Sequence, residues 1–321
     1  MNATAHLLAG DFTLCDLGSA SATDLPGLRP LRSAITLIEI DAIGQGQTAQ
    51  SDYYRKISLQ SAISGHTGRR TFHKRQFAQS SSFLEIKADV ASSYGLEAFF
   101  APAGDLALEC ETLATLLAGH GLARVDFLKT DLEGIDFEVL SSAPDIVGRS
   151  LVIQNELRFQ PLYEGEADFC AVSTLLAGLG FELITLRPEV WKYATPNRDV
   201  RPDGRLVWAD AIFFLTPRRL EEIFGDAAPL AVLKQALLAN ALRLPNVADY
   251  LFESVRPQLP AAVAAETAAL LGSGTRAARL ANGLAALPGG NRLMLKARGL
   301  CLAAARTLSY SKGFKHIGFP Y

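Results

Sequence analysis

Residues 125–140 read Val125-Asp126-Phe127-Leu128-Lys129-Thr130-Asp131-Leu132-Glu133-Gly134-Ile135-Asp136-Phe137-Glu138-Val139-Leu140. The first seven form a strand that ends in acid. Beyond Gly134, the residues Ile135, Val139 and Leu140 recur at helical spacing. A strand that delivers carboxylates into a turn and then a helix is the repeating unit of an α/β sheet, and the same pattern extends outward in both directions. Upstream, residues 12–17 (FTLCDL) and 35–40 (ITLIEI) are short apolar runs that read as buried strands. Between them, residues 19–33 carry the Ser, Thr and Asp that cap a short helix. Residues 56–63 are a third strand, and the polar stretch to Ser82 reads as a long loop or hairpin. LALECE (106–111) and a helical TLATLLAGH closed by Gly121 then lead into the quoted segment. Downstream, LVIQNEL (151–157) is an interior strand, a helix follows over 167–179, and FELITL (181–186) with LVWADAIFFL (206–215) closes the series.

Strands alternating with helices imply a largely parallel sheet covered on both faces, with an antiparallel member at one edge. Ligands in such sheets bind beyond the carboxyl ends of the strands, where the strand order reverses. Asp16-Leu17-Gly18-Ser19-Ala20-Ser21 is a small-residue turn that lets backbone approach a ligand closely. Glu39, with Asp41 two residues on, ends the second strand about 21 residues after Gly18, the distance at which doubly wound folds place an acid on ribose hydroxyls. An ordinary βαβ turn with a solvated acid is the plain alternative. No G-x-G-x-x-G run follows the first strand, which argues against a dehydrogenase.

The quoted segment closely resembles the "DflKiDvEG-x-E-x-VL" signature of FkbM-type methyltransferases. These are S-adenosylmethionine-dependent O-methyltransferases acting largely on sugars and other hydroxylated natural products. Further pieces follow in that family's order: the Asp16-Leu17-Gly18 turn, Glu39 in place of the acid of "FEP", Ser80-Ser81-Ser82, Ile153-Gln154-Asn155-Glu156, Leu162-Tyr163-Glu164-Gly165, Gly180-Phe181-Glu182-Leu183 and Trp208-Ala209-Asp210-Ala211-Ile212-Phe213. The chain departs from the pattern at Ala22, where a second glycine is usual, and at Ala114, where an acid is usual.

The resemblance implies a Rossmann-like class I methyltransferase fold: a doubly wound, mostly parallel seven-stranded sheet with one antiparallel edge strand. It implies S-adenosylmethionine as cofactor, bound by Asp16, Gly18, Ser19, Glu39, Asp41, Ser81 and Asp131. The implied acceptor is a hydroxyl of a sugar, glycan or related natural product. A methyltransferase fold that has lost activity and serves as a binding or assembly subunit is the alternative. Because a sugar hydroxyl is barely ionised at neutral pH, a base is needed, and Asp131, Glu133 and Glu156 at neighbouring strand ends are the catalytic candidates. No metal is required, although Asp131, Asn155 and Glu156 could together hold a divalent cation. His66 and His73 are further base candidates, or plain surface histidines. Trp191, Tyr193 and Trp208 could stack on a sugar ring, but core packing is the better reading.

From about Pro217 the pattern changes to Ala- and Leu-rich helical segments, which divides the chain into a cofactor-binding domain over 1–216 and an all-helical region over 217–321. Of the 31 basic and 33 acidic residues, eight basic and no acidic ones lie after Glu266. Residues 267–321 are thus formally +8 and the first 266 formally −10, although the total is only −2. Arg292, Lys296 and Arg306 share one side of a helical wheel, suiting either a solvated face or an anionic partner or membrane surface. Nucleic acid is not expected, because no aromatic platform accompanies the basic residues. Four cysteines without C-x-x-C spacing read as buried free thiols. With no apolar run long enough to span a membrane, the expected location is cytoplasmic, or peripheral at the membrane through the basic region. The oligomeric state is not legible.

Overall fold

The computed structural model describes residues 2–18, 25–43, 52–198 and 203–272. Ser19, Ala22 and the basic residues Arg292, Lys296 and Arg306 lie outside these. The strands are β1 (Phe12–Leu17), β2 (Ile35–Asp41), β3 (Arg55–Gln60), β4 (Ala62–Ile63), β5 (Gly68–Arg75), β6 (Pro102–Glu111), β7 (Phe127–Thr130), β8 (Val152–Arg158), β9 (Phe181–Trp191) and β10 (Arg205–Leu215). The helices are α1 (Ala3–Leu8), α2 (Ala88–Ser93), α3 (Leu113–Gly119), α4 (Asp136–Ser142), α5 (Pro144–Val147), α6 (Phe169–Gly178), α7 (Pro217–Phe224), α8 (Ala228–Ala241), α9 (Pro245–Val255) and α10 (Ala261–Gly272), with a 3₁₀ helix over Pro26–Ala34 where a short helix was expected.

Seven strands form one sheet in the order β3-β2-β1-β7-β8-β10-β9. The chain works outward from β1 to β3, then returns to lay β7 beside β1, so the order reverses between β1 and β7 and opens a crevice there. Strands β3, β2, β1, β7 and β8 are mutually parallel, whereas β10 runs antiparallel to both β8 and β9. This corrects the expected antiparallel edge. The reversed strand lies one place in from the margin, and β9 is the edge. All six residues of β1 are buried, which is why its sequence is a continuous apolar run rather than an alternating one.

A second correction concerns residues 56–82. The expected single strand over 56–63 breaks at Ser61: β3 joins the main sheet, while β4 joins a separate three-stranded sheet of order β4-β6-β5. The expected loop contains β5, paired antiparallel to β6 from Gly68↔Cys110 to Arg75↔Pro102. The small sheet stands over the carboxyl ends of β1 and β2 and supplies Ile63 and Phe72 to the cavity there.

Residues 217–272 are helical, and α8 fits into the core of the sheet: Leu233 and Leu237 join one buried apolar cluster with Leu14, Ile38 and Phe127. The Gln235 amide donates to the carbonyls of Leu151 and Leu215, each at 2.9 Å, satisfying two buried acceptors at the strand ends. Pattern changes at residue 217, but packing continues across it. Cys15 and Cys110 are buried free thiols; Cys170 is exposed, against the expectation, and Cys301 lies outside the described residues. Among the described residues no helix is long and apolar enough to cross a membrane.

Candidate active site

Gly18, at the end of β1, has φ +81°, and a β-carbon there would stand 1.9 Å from the carbonyl oxygen of Asp131. Only glycine lets the β1 turn pass this closely beneath the end of β7. On the β7 side the amide of Asp131 donates to the Leu17 carbonyl at 3.1 Å. The chain then turns sharply. Glu133 has φ +50° and Gly134 φ +101° before α4 begins. A left-handed glutamate costs on the order of 1 kcal/mol, so its surroundings must hold it there. Ser82 Oγ does so by donating to the Glu133 carbonyl at 2.6 Å, while a β-carbon at Gly134 would meet the Tyr163 ring at 3.0 Å.

Above these turns is a cavity of about 320 Å³. Gly18, Asp41, Asp131 and Glu133 line its polar side; Ser81 and Gln79 lie on the wall formed by residues 78–83, and Ile63, Phe72 and Ile135 are apolar patches. Of the expected cofactor residues, Gly18, Asp41, Ser81 and Asp131 therefore face one space. Asp16 and Glu39 sit two residues earlier on their strands, in register with each other and outside the lining. Each makes one ion pair, Asp16 Oδ1 with Lys129 at 3.1 Å and Glu39 Oε2 with Lys56 at 2.9 Å. Asp16 Oδ2 and Glu39 Oε1 are buried without a partner, two acceptors that a ligand's N–H or O–H groups would satisfy. Burial pushes the Asp16 carboxyl up to about 6 against the pull of Lys129.

The expected catalytic acids converge. Carboxylate oxygens of Asp131, Glu133 and Glu156 all lie within 4.8 Å of one another. Arg158, two residues after Glu156 on the same face of β8, sits among them: its Nη2 lies 2.9 Å from Glu133 and 2.5 Å from Glu156, and its Nε 3.0 Å from Glu166. Glu166 also accepts the backbone amides of Leu162 and Tyr163, at 2.6 and 3.1 Å. One guanidinium thus serves three carboxylates, with Asp131 a fourth acid nearby. Burial pushes the Glu133 carboxyl up to about 8, only partly opposed by Arg158, and raises Glu156 well above the ordinary range for the same reason. Burial and the charge of Asp131 push Asp136 up to about 6.

Asn155 does not join the acids. As the neighbour of Glu156 on a strand it points to the other face, where its amide donates to Thr130 Oγ1 at 2.7 Å and Asp136 at 3.1 Å. Asn155 thus lies apart from Asp131 and Glu156, whereas Glu133 joins them in a carboxylate group that could hold a cation, with Arg158 between Glu133 and Glu156. Neither His66 nor His73 lines the cavity: His66 is exposed beside Glu138, and His73 contacts Asp105 and Glu85 at 3.0 and 3.3 Å. Trp191 and Trp208 pack against a second apolar cluster around Tyr94, Phe100 and Tyr163, and Tyr193 stacks on Tyr94 with half its surface exposed. Arg158 and Tyr163 were not picked out as site residues. The signal for Arg158 was its place two residues beyond Glu156, and for Tyr163 its place in the Leu162-Tyr163-Glu164-Gly165 motif.

Residues 38–183 match the family model described as the methyltransferase FkbM domain. This stretch is similar to the FkbM methyltransferase domain. The matched span runs from within β2 into β9, so it contains the Asp131, Glu133, Glu156, Arg158 and Tyr163 constellation, while β1, β10 and the helices beyond complete the sheet and its cover. FkbM domains are methyltransferase domains, a class that generally uses S-adenosylmethionine. Neither curated proteins nor solved structures gave a match.

Proposed function

We propose that this protein is an S-adenosylmethionine-dependent O-methyltransferase acting on a hydroxyl of a sugar, glycan or related natural product. The observation that carries the reading is the cavity at the β1/β7 crevice. It joins a glycine-permitted close approach of backbone, buried acceptors without partners beneath it, and a buried carboxyl poised for proton transfer at its rim. The residues fit the cofactor: Gly18, Asp41, Ser81 and Asp131 would surround it, with Asp16 and Glu39 supplying acceptors for its amino and hydroxyl groups. When bound, it supplies a methyl group already activated on a sulfonium.

The chain's own part is then to orient the hydroxyl and remove its proton. Glu133 is the residue placed for this. A carboxylate whose conjugate acid titrates near 8 is a stronger base than one titrating near 4, and it remains partly ionised at neutral pH. Arg158 holds that carboxylate beside the cavity, and the positive φ at Glu133 turns the side chain toward it. Isothermal titration with S-adenosylmethionine, its demethylated product and NAD tests the cofactor. Binding of the first two but not NAD is expected, and Asp41→Ala should weaken it about tenfold or more, the usual cost of a charge-assisted hydrogen bond. Unchanged affinity in a folded variant would remove Asp41 from the site, and failure of both adenosyl ligands would remove the reading.

A further inference from the structure

The Tyr163 hydroxyl is fully buried and lies 2.9 Å from two acceptors at once, the Glu133 Oε2 carboxylate oxygen and the Ser80 carbonyl. A phenol has one proton and can donate to only one of them. The two acceptors belong to different parts of the cavity: Glu133 is at its acidic rim, while Ser80 ends the 3₁₀ turn Ala78–Ser80, whose Ala78 and Gln79, with the following Ser81, form the opposite wall. Ser82 Oγ, on the Glu133 carbonyl, fixes the same two segments together independently of any titration.

We propose that Tyr163 is a positioning residue that links the proton on Glu133 to the cavity wall: it donates to Glu133 while that carboxylate is ionised, and to the Ser80 carbonyl once Glu133 is protonated. The protonated carboxyl then donates its own hydrogen to the phenol oxygen, so Glu133 and Tyr163 stay partnered in both states and the Ser80 carbonyl alone gives up its bond while the base is ionised. The proton counts agree, one on Tyr163 throughout and one gained by Glu133 from the acceptor hydroxyl. The Tyr163 tie to the wall at residues 78–81 is therefore absent while the base is free and present when it is loaded. As a base assignment for Glu133 this rests on the methyltransferase reading; as a coupling between two side chains it does not.

Around Glu133 the charged and titratable groups are Asp131 from the end of β7, Glu156 and Arg158 from β8, and Tyr163 and Glu166 from the turn after it. Tyr163 favours the ionised form of Glu133 because it donates to it, and removal of that donor raises the Glu133 pKa. The test is carbon-13 NMR of the full-length protein, with labelled glutamate carboxyls and tyrosine rings, titrated without cofactor or acceptor. Glu133→Gln and Glu156→Gln assign the two coupled carboxyls. In Tyr163→Phe the Glu133 midpoint is expected to move up by about one to two pH units, the equivalent of a lost hydrogen bond to a charged group. In the unaltered protein the Tyr163 ring signal should shift with the same midpoint as Glu133, and in Glu133→Gln that shift should vanish. A flat Tyr163 signal across the Glu133 midpoint overturns the proposal even if Tyr163→Phe fails to fold, and so does an unmoved midpoint in a folded Tyr163→Phe. Coupled titration in a protein that binds no S-adenosylmethionine would leave the linkage standing and remove the methyltransferase reading.

Discussion

At the amino end of β7, Lys234 from α8 meets Asp126 and Asp11; at the carboxyl end, Arg158 meets Glu133, Glu156 and Glu166. Both cations are buried, yet their surroundings are composed differently. Lys234 Nζ lies 3.1 and 3.2 Å from the two oxygens of Asp126 and also reaches the Asp11 carboxylate and carbonyl, while Arg124 pairs with Asp11 and the Thr13 amide donates to Asp126 at 2.8 Å. Two acids face two cations there. At the other end acids outnumber the cation, a glutamate occupies left-handed backbone, and a cavity is adjacent. Matched buried charge holds α8 to the sheet. Burial raises the carboxyl pKa at both ends, Asp126 included despite Lys234; at the carboxyl end of β7 the charge of Asp131 adds to it, and Glu133, pushed up to about 8, can exchange a proton near neutral pH beside the cavity.

The contrast is broken most severely at the mismatched end. Glu133→Gln keeps shape and burial but removes the proton acceptor, so the methyl-transfer rate should fall by about 10²- to 10⁴-fold, the usual contribution of a positioned general base. Cofactor affinity should stay within a few-fold. A full rate in a folded Glu133→Gln would leave the acid excess without a catalytic meaning, and rate recovery of that variant at high pH would confirm the base, since alkaline medium supplies the ionised hydroxyl.

The matched end should respond in stability instead. Lys234→Met strands Asp126 in apolar surroundings, and breaking a buried pair by removing one partner costs about 3 to 5 kcal/mol. Chemical denaturation measures it, and replacing Asp126 with Leu in the same protein should recover much of the loss, because a well-packed apolar pair needs no partner. A Lys234→Met protein as stable as the parent would mean that the buried pair does not anchor α8.

The same division explains what could be read before the structure. Strands β1, β2 and β8 were legible because burial on both faces forces continuous apolar runs, and Asp131, Glu133 and Glu156 were legible because they stand at the ends of such runs. The small sheet was not. Residues of β6 are almost all exposed and β5 reads GRRTFHKR, so neither has the alternation that marks a half-buried strand. The antiparallel place of β10 could not be distinguished from an edge, since periodicity carries no information about neighbours. Arg158 and Tyr163 escaped because position alone puts them near Glu156 and in a motif, while their roles come from burial among acids. Glu39 and Asp41 were both named by position; Asp41 lines the cavity, and Glu39 lies outside the lining with one buried oxygen unpartnered.

Ala114 gives the smallest and cleanest test of whether family departures bear on the site or on the scaffold. It lies exposed in the first turn of α3, whose cap is Thr112, accepting the Thr115 amide at 3.2 Å, and it is not part of the cavity lining. An acid in that turn faces the positive end of the helix dipole, a favourable interaction worth about 0.3 to 1 kcal/mol at an exposed position. Ala114→Asp should therefore raise the denaturation midpoint slightly, with a gain that shrinks as salt screens it. S-adenosylmethionine affinity and rate should not change, because Ala114 is exposed and outside the cavity lining. If Ala114→Asp instead tightened cofactor binding severalfold with no gain in stability, the departure would belong to the site, and the separation drawn between charge that anchors and charge that reacts would have to extend to the helix termini.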